Sequence, residues 1–429
     1  MQNKVLPGAY INFVALSNVI TSGSRGIAAL PLELNWGEEG KIISMDAGDF
    51  SHDAAKVFGY DATAAELILI REAFKRAKTL LVYRVNSGGV KATKTIGGVT
   101  VTAKCAGTRG NDIRVAVITN PDGGFDVVTY LGTEAVANQH VATASDLQAN
   151  DFVSFGSGTL EAAAATALTG GTNGTASGTT YSAALAAFEV ENFNVIGYPG
   201  TETDIKALFV AFIKRLRDDD GKKIVCVLND KAADYEGIIS VKNGVILEDG
   251  TVVSADQAVA WVTGASAAAQ MNESLTNTAY DGAVGVTAKY TKTQLENALK
   301  AGEFVFYAED GKVRVLDDVN TLTTFGGGKS ADWTSNRLVR VMDSWANDVG
   351  RIFGNSYLGL ETNNDTGRQL FKADLVALAL QYQAIGAISD FFSSDIEVAQ
   401  GSGKRDVIAN CQLKPNDSMN KLYMTVVVE

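Results

Sequence analysis

The chain ends in a strand-forming run that needs an edge to pair with. Residues 422–428 read Leu-Tyr-Met-Thr-Val-Val-Val, and β-branched and aromatic residues at this density favour a pleated, extended backbone. A turn-rich spacer, Pro415-Asn416-Asp417-Ser418, comes before them. Terminal segments lose order unless something ties them down. A strand on such a tether pairs with an edge of its own sheet or with an edge offered by a neighbouring subunit, and both options stand on this run alone.

The opposite end repeats the pattern. Residues 5–13 read Val-Leu-Pro-Gly-Ala-Tyr-Ile-Asn-Phe, so that Tyr10, Asn12 and Val14 alternate with Ile11 and Phe13. Pro7 has no amide donor, which suits a sheet edge. Behind this segment a second tether over residues 17–26 contains Ser22-Gly23-Ser24 and Gly26. Two strand formers on two tethers are what strand exchange between identical subunits requires.

A length of 429 residues allows about two to four domains with substantial cores. A net charge of −12 disfavours a phosphate-binding surface, because nucleic-acid affinity comes mainly from Lys and Arg; no nucleic-acid contact is expected. Cys105, Cys226 and Cys411 are odd in number and scattered, which fits neither a disulfide framework nor a C-x-x-C ligand pair. Cys226 lies in an apolar run and reads as a small buried hydrophobe. No basic-then-apolar leader is seen, and no stretch reaches the ~18 apolar residues of a membrane span. The chain is therefore expected to be made and folded in a cytoplasm, without membrane insertion.

Taken in order, residues 27–34 and 41–45 read as strands, and a helix is expected over about 61–78. Thr63 and Glu66 have the spacing of a capping box there. A buried strand at 79–85 completes a β-α-β pattern. From about residue 90 to 174 short strands and Gly/Thr turns take over, with 112–119 and 125–131 forming a hairpin across Asn120-Pro121-Asp122-Gly123-Gly124. Thr169-Gly170-Gly171-Thr172-Asn173-Gly174 closes this stretch as a flexible seam. Strand–helix–strand patterning resumes at 194–198, 203–217 and 223–228, so the stretch reads as an inserted β-rich domain.

Ser254 with Gln257 and Thr291 with Gln294 mark two more capping boxes. Residues 304–308 and 312–316 form a hairpin turned at Asp310-Gly311. In a C-terminal module starting near Asp317, Leu338, Val341, Met342, Trp345, Val349, Ile352 and Phe353 make a one-sided stripe on a helix of about five turns. A second helix carries Phe371, Leu375, Leu378, Tyr382 and Ile385 on one side and Leu370, Val376 and Leu380 on the other. Such a helix should be buried nearly all round, in its own module or against another chain. Residues 396–399 and 407–413 flank Gly401-Ser402-Gly403 as a final hairpin, the sheet on which arms would dock.

A search for chemistry finds little. Gly326-Gly327-Gly328-Lys329-Ser330 resembles a phosphate loop, but Thr323 stands where its first glycine belongs, so a solvated loop is expected. His52 and His140 lie in unrelated segments with no metal-ligand spacing. Asp218-Asp219-Asp220-Gly221 has its glycine too early for an EF-hand loop and reads as a helix end. Neither catalytic residues nor a metal or cofactor is expected.

Four segments together carry a resemblance. Val5-Leu6-Pro7-Gly8-Ala9-Tyr10, Gly107-Thr108-Arg109-Gly110-Asn111-Asp112, Arg217-Asp218-Asp219-Asp220-Gly221-Lys222 and Leu422-Tyr423-Met424-Thr425-Val426 occur in the order found in the tail sheath proteins of contractile phages and related bacteriocins. The resemblance covers essentially the whole chain. It implies a homo-oligomeric sheath around a tail tube protein, bounded by baseplate and tail terminator proteins, in a virion tail or tail-like particle assembled in the bacterial cytoplasm.

The expectation is thus an α+β multidomain protein. An α/β body (27–89 plus 175–316) carries an inserted β-rich domain on its outer surface (90–174). A helix-plus-sheet assembly module (317–413) lies between extended terminal arms (1–26 and 414–429). Tyr10, Ile11 and Phe13, with Leu422, Tyr423, Thr425 and Val427, are the expected arm contacts. Two other classes remain from the residues themselves: another self-assembling surface or capsid-like protein, and an α/β enzyme with a β-rich accessory domain.

Overall fold

The computed structural model describes residues 25–427. Its largest element is a seven-stranded sheet. Ile27–Leu32 (β1) lies in its interior, with Thr79–Arg84 (β3) and then the edge strand Ile42–Asp46 (β2) to one side. On the other side follow Val195–Gly197 (β4), Val225–Asn229 (β5), Ile238–Val241 (β6) and Glu303–Phe304 (β7). All neighbours are parallel except β2, which runs antiparallel to β3.

Side chains along these strands alternate between two cores, as the period of two requires. Leu30, Leu80, Val82, Val227 and Ile239 enter one; Ala29, Leu81, Ile196, Cys226 and Ile238 enter the other. The first core is capped by Phe50–Phe58 (α1) and Ile68–Phe74 (α2), the second by Gly178–Glu189 (α3) and Thr203–Asp218 (α4). Ala255–Ala268 (α5) lies inside the first core, buried on every side along its middle. Its Gly264 lets the backbone of α2 approach: a Cβ there would stand 2.3 Å from the Ala73 carbonyl oxygen.

Several local expectations change. Helix α1 was not legible as such; Phe50, Ala54 and Phe58 recur every four residues, and Gly59 closes it with φ of +79°. The long helix expected over 61–78 is a short 3-10 turn, Ala65–Leu67, followed by α2. No Thr63–Glu66 capping box forms, because Asp61 Oδ1 accepts from both the Thr63 amide (2.8 Å) and hydroxyl (2.6 Å). The boxes at Ser254/Gln257 and Thr291/Gln294 are present, the latter opening Lys292–Lys300 (α6). Residues 306–309 and 312–315 form the hairpin at Asp310-Gly311, both with positive φ.

The β-rich stretch forms a four-stranded sheet containing the Ile113–Thr119/Phe125–Leu131 hairpin and a three-stranded sheet, packed around a common apolar core. Its seam is paired rather than flexible. Ser87 and Thr175 exchange two backbone hydrogen bonds of 3.1 Å, and Val90 pairs with Thr172 in the same way. Around this crossing, Arg84 donates to the carbonyls of Gly37, Ala106 and Asn173, while the Asn173 side chain accepts from the Thr108 amide (2.7 Å) and donates to Asn35 (2.7 Å). Trp36, from the body, packs in the inserted core. Gly107, with φ of +142°, is required here: a Cβ would stand 1.9 Å from the Asn35 oxygen.

The described chain divides into two compact units, residues 25–343 with 417–427, and residues 344–416. Residues 317–343, expected in the C-terminal module, therefore group with the body. Asn336–Ser356 (α7) begins in the first unit and ends in the second. Its first turns are held by Arg217 at the end of α4. Two nitrogens of this buried guanidinium meet the two Asp343 oxygens at 2.6 and 2.8 Å, and it also donates to the Ile224 carbonyl. Burial alone would lower the Arg217 pKa; the Asp343 carboxylate outweighs this and holds it above the usual arginine value.

In the second unit α7 packs on Asp365–Ala384 (α8). Trp345 meets Tyr382 edge-on at 5.7 Å, Phe353 meets Phe371 at 5.5 Å, and the Tyr382 hydroxyl donates to Asp348. Beyond α8, Ile396–Gln400 (β8) and Val407–Cys411 (β9) form a two-stranded antiparallel sheet.

Breaking one partner of a buried ion pair leaves an uncompensated charge. Arg217→Met should therefore cost about 3–5 kcal/mol, and adding Asp343→Leu should restore most of it. Urea denaturation of the three chains checks this; equal losses in single and double variants would show that the pair is not the relevant contact.

Candidate assembly surface

The β8–β9 hairpin is built from its strand register. Ile396 stands opposite Cys411, Val398 opposite Ala409 and Gln400 opposite Val407. Ile396 is fully buried, and Cys411, Ala409 and Val407 point to its side of the sheet, Cys411 and Val407 half-buried and Ala409 exposed, while Ile408 and Asn410 point to the other side and are exposed. The tip is fixed by Asp406, whose carboxylate accepts from the Gly403 amide (2.9 Å), and by Asn363, which donates to the carbonyls of Lys404 and Asp406. Burial pushes the Cys411 thiol pKa up.

Helix α8 is buried on one side only. Phe371, Leu375, Leu378 and Tyr382 face inward, whereas Leu370 and Leu380 are each 51% exposed. The apolar circumference read from the sequence is thus half covered among the described residues. Between α7, the start of α8 and the hairpin tip lies a cavity of about 500 Å³. Phe353, Tyr357 and Phe371 line it, Val407 forms one wall, and Arg368, Lys404 and Arg405, with Glu361 beside them, give it a mainly cationic border.

The C-terminal segment is anchored at its root. Asp317 Oδ1 accepts from Thr276 Oγ1, the Asp318 amide and Asn420 Nδ2, at 2.9, 2.9 and 3.0 Å. Burial raises the Asp317 carboxyl pKa, against the lowering effect of the Thr276 hydrogen bond. Past Asn420 the described residues are exposed: Leu422 85%, Tyr423 88% and Val427 81%, with Thr425 exposed as well. The strand expected at 422–428 is not formed over its described part; residues 421–427 carry no strand and pair with none of the sheets. Tyr10, Ile11 and Phe13 lie outside the described residues.

The remaining sequence candidates resolve simply. Gly326–Gly328 are exposed, and Lys329 Nζ lies 2.6 Å from Glu236 of the body. Gly221, with φ of +73°, follows the end of α4. Among the described residues no group of three or more His, Cys, Asp or Glu could hold a metal ion, and no helix is long and apolar enough to cross a membrane. The cavity, its cationic border and the Asp317 anchor were missed from sequence. The adjacent Lys404-Arg405 in a glycine-rich tip was the one local signal available.

Comparison with known proteins identifies the family of the chain. Four family models tile the chain: the tail sheath Gp18 domain III N-terminal region at 25–85, the phage tail sheath β-sandwich domain at 87–173, the central domain at 174–321 and the C-terminal domain at 328–429. The sheath tail protein of Desulfitobacterium hafniense is 45% identical, with a TM-score of 0.88 over 97% of this chain and 99% of that one. Phage-like element PBSX protein XkdK of Bacillus subtilis is 37% identical over 100% of this chain and 98% of its own length. The contracted helical sheath of the anti-feeding prophage shares the fold at 10% identity, with a TM-score of 0.59 over 99% of both chains. The chain belongs to the phage tail sheath protein family. It is a structural component of a phage tail or tail-like particle, and not an enzyme.

The half-covered α8 makes a measurable distinction. Leu370→Asn and Leu380→Asn should each shift the stability of the free chain by less than about 0.5 kcal/mol. Leu375→Ala, at a fully buried position, should cost about 2–5 kcal/mol. Urea midpoints of the three variants decide; a large loss at Leu370 or Leu380 would mean that this face is already packed.

Proposed function

We propose that the chain is the subunit of a contractile sheath, which polymerises around a tail tube by exchanging terminal strands and contracts to drive the tube through a cell envelope. One observation carries the reading: a strand-forming segment pinned at Asn420 and exposed beyond it, in a chain whose last sheet has two strands among the described residues. Tyr10, Ile11 and Phe13 of the other arm would serve the same lattice, alongside Leu422, Tyr423, Thr425 and Val427. The subunit's partners are further copies of itself, the tube, and the baseplate and terminator at the two ends. Assembly takes place in the bacterial cytoplasm, with the sandwich of residues 87–173 facing outward.

The energetics favour a lattice over a dimer. A strand addition of about five hydrogen bonds, at ~0.5–1.5 kcal/mol net each, yields only a few kcal/mol plus apolar burial. That is weak against the entropy of bringing two proteins together. Subunits that each give and receive arms bind multivalently, so growth is cooperative and suits a template. Paired arms can persist while their tethers absorb rotation. Contraction is then a passage between two packings of rigid bodies, driven by the difference in body-to-body contacts and needing no nucleotide.

Thr425→Pro removes one ladder donor and clashes with strand pairing. It should leave the subunit folded but reduce sheath formation strongly, as seen by electron microscopy after co-expression with the tube protein. Truncation after Asp417 should abolish cylinders and leave folded monomers. Normal yields of cylinders from both variants would contradict strand exchange.

A further inference from the structure

We propose that a small cavity beside the starts of β4, β5 and β6 binds one monatomic anion of the chloride class, and that this ion holds Arg25, just ahead of β1, to the start of α7. The site is separate from the strand-exchange reading and does not depend on it.

The cavity has room for the centre of a single water-sized sphere, about 20 Å³. Val195, Val225 and Ile239 of the three strands line it, together with Val339 and Arg340 from the first turns of α7. Ser266, near the end of α5, is the reason to expect an occupant. It is 2% exposed, and its Oγ has no hydrogen-bond partner among the described residues. A buried hydroxyl left without a partner is destabilising, so such groups are nearly always satisfied, by the protein or by something bound to it.

The lining selects the charge of the occupant. Three cations, Arg25, Lys223 and Arg340, are set against one carboxylate, Asp343, whose two oxygens Arg217 already engages at 2.6 and 2.8 Å. Asn194 adds a donor: its Oδ1 accepts from the Gly26 and Ile27 amides, at 3.0 Å each, which leaves Nδ2 as its other polar end. Asn336 contributes an acceptor instead, because its Nδ2 donates to Asp318 Oδ1 at 2.9 Å. Donors and positive charge outweigh it.

The backbone fields agree. Carbonyls at the end of α5 would repel an anion, but Arg25 covers them, its Nε donating to the Ala269 carbonyl (2.7 Å) and a terminal nitrogen to the Ser266 carbonyl (3.0 Å). Helix α7 starts at Asn336, so its positive end adjoins the cavity. A water molecule would satisfy Ser266 but would not answer the excess of positive charge in the lining. Space for one water admits chloride or bromide and excludes sulfate and phosphate. Arg340 is itself anchored, donating to the Glu273 carbonyl at 2.5 Å, so an ion bound beside it is fixed to the body.

Thermal unfolding of the full chain tests the site, with chloride replacing gluconate at constant ionic strength so that screening does not change. The midpoint should rise saturably by about 2–4 °C, and bromide should act as chloride does. Ser266→Ala removes only an unpartnered hydroxyl. It should match the unmodified chain in gluconate and need about tenfold more chloride for the same rise. Crystals of the unmodified chain soaked in bromide should show an anomalous peak between Ser266, Asn194 and Arg340. A chloride response absent from the unmodified chain, or kept in full by Ser266→Ala, would overturn the proposal. So would a cavity that holds water and no bromide.

Discussion

A two-stranded sheet is marginal on its own, because both of its edges present backbone groups that only another strand can pair without loss. Among the described residues the β8–β9 hairpin of this subunit is such a sheet, resting on α8. At the same time the strand-forming residues 422–427 lie exposed, with no strand partner among the described residues. An unfilled edge and an unpaired strand former are complementary needs. In the proposed sheath each is met by a different copy, which makes the folding of the last sheet and the growth of the lattice one process.

That arrangement asks the rest of the subunit to be stiff, and the polar chemistry supplies the stiffness. Two of the segments that carry the family resemblance prove to be clamps. Gly107-Thr108-Arg109 sits where the inserted sandwich meets the body: Gly107 passes close to the Asn35 oxygen, and the Arg109 Nε donates to the Gly59 carbonyl at 2.6 Å. Arg217 binds the start of α7 through Asp343. The sandwich is therefore joined by a paired crossing and shared core residues, so a torque on one is carried to the other. A loose insertion could not take part in a transition between two rigid packings.

Local signals were read well where they were self-contained. The turns at Asp310-Gly311 and Asn120 to Gly124, and the capping boxes at Ser254 and Thr291, each need only residues close in sequence. Thr63 misled because Asp61, two residues earlier, competes for the same hydroxyl and amide. The paired seam at 87–90 and 172–175 and the Arg217–Asp343 pair join residues more than eighty positions apart, which periodicity cannot register. Of the assembly surface, the arm and hairpin were visible as strand patterns. The cavity was not, because its walls come from a helix end, a loop and a hairpin tip that meet only in three dimensions.

The most direct measurement is a cryo-electron microscopy map of the assembled sheath on its tube, resolved well enough to trace residues 417–429 from their root at Asp317. The account predicts that each such segment leaves its own subunit and lies as a strand on the β8–β9 hairpin of another. A segment folded back onto a sheet of its own subunit, in a sheath that is nevertheless intact, would contradict it.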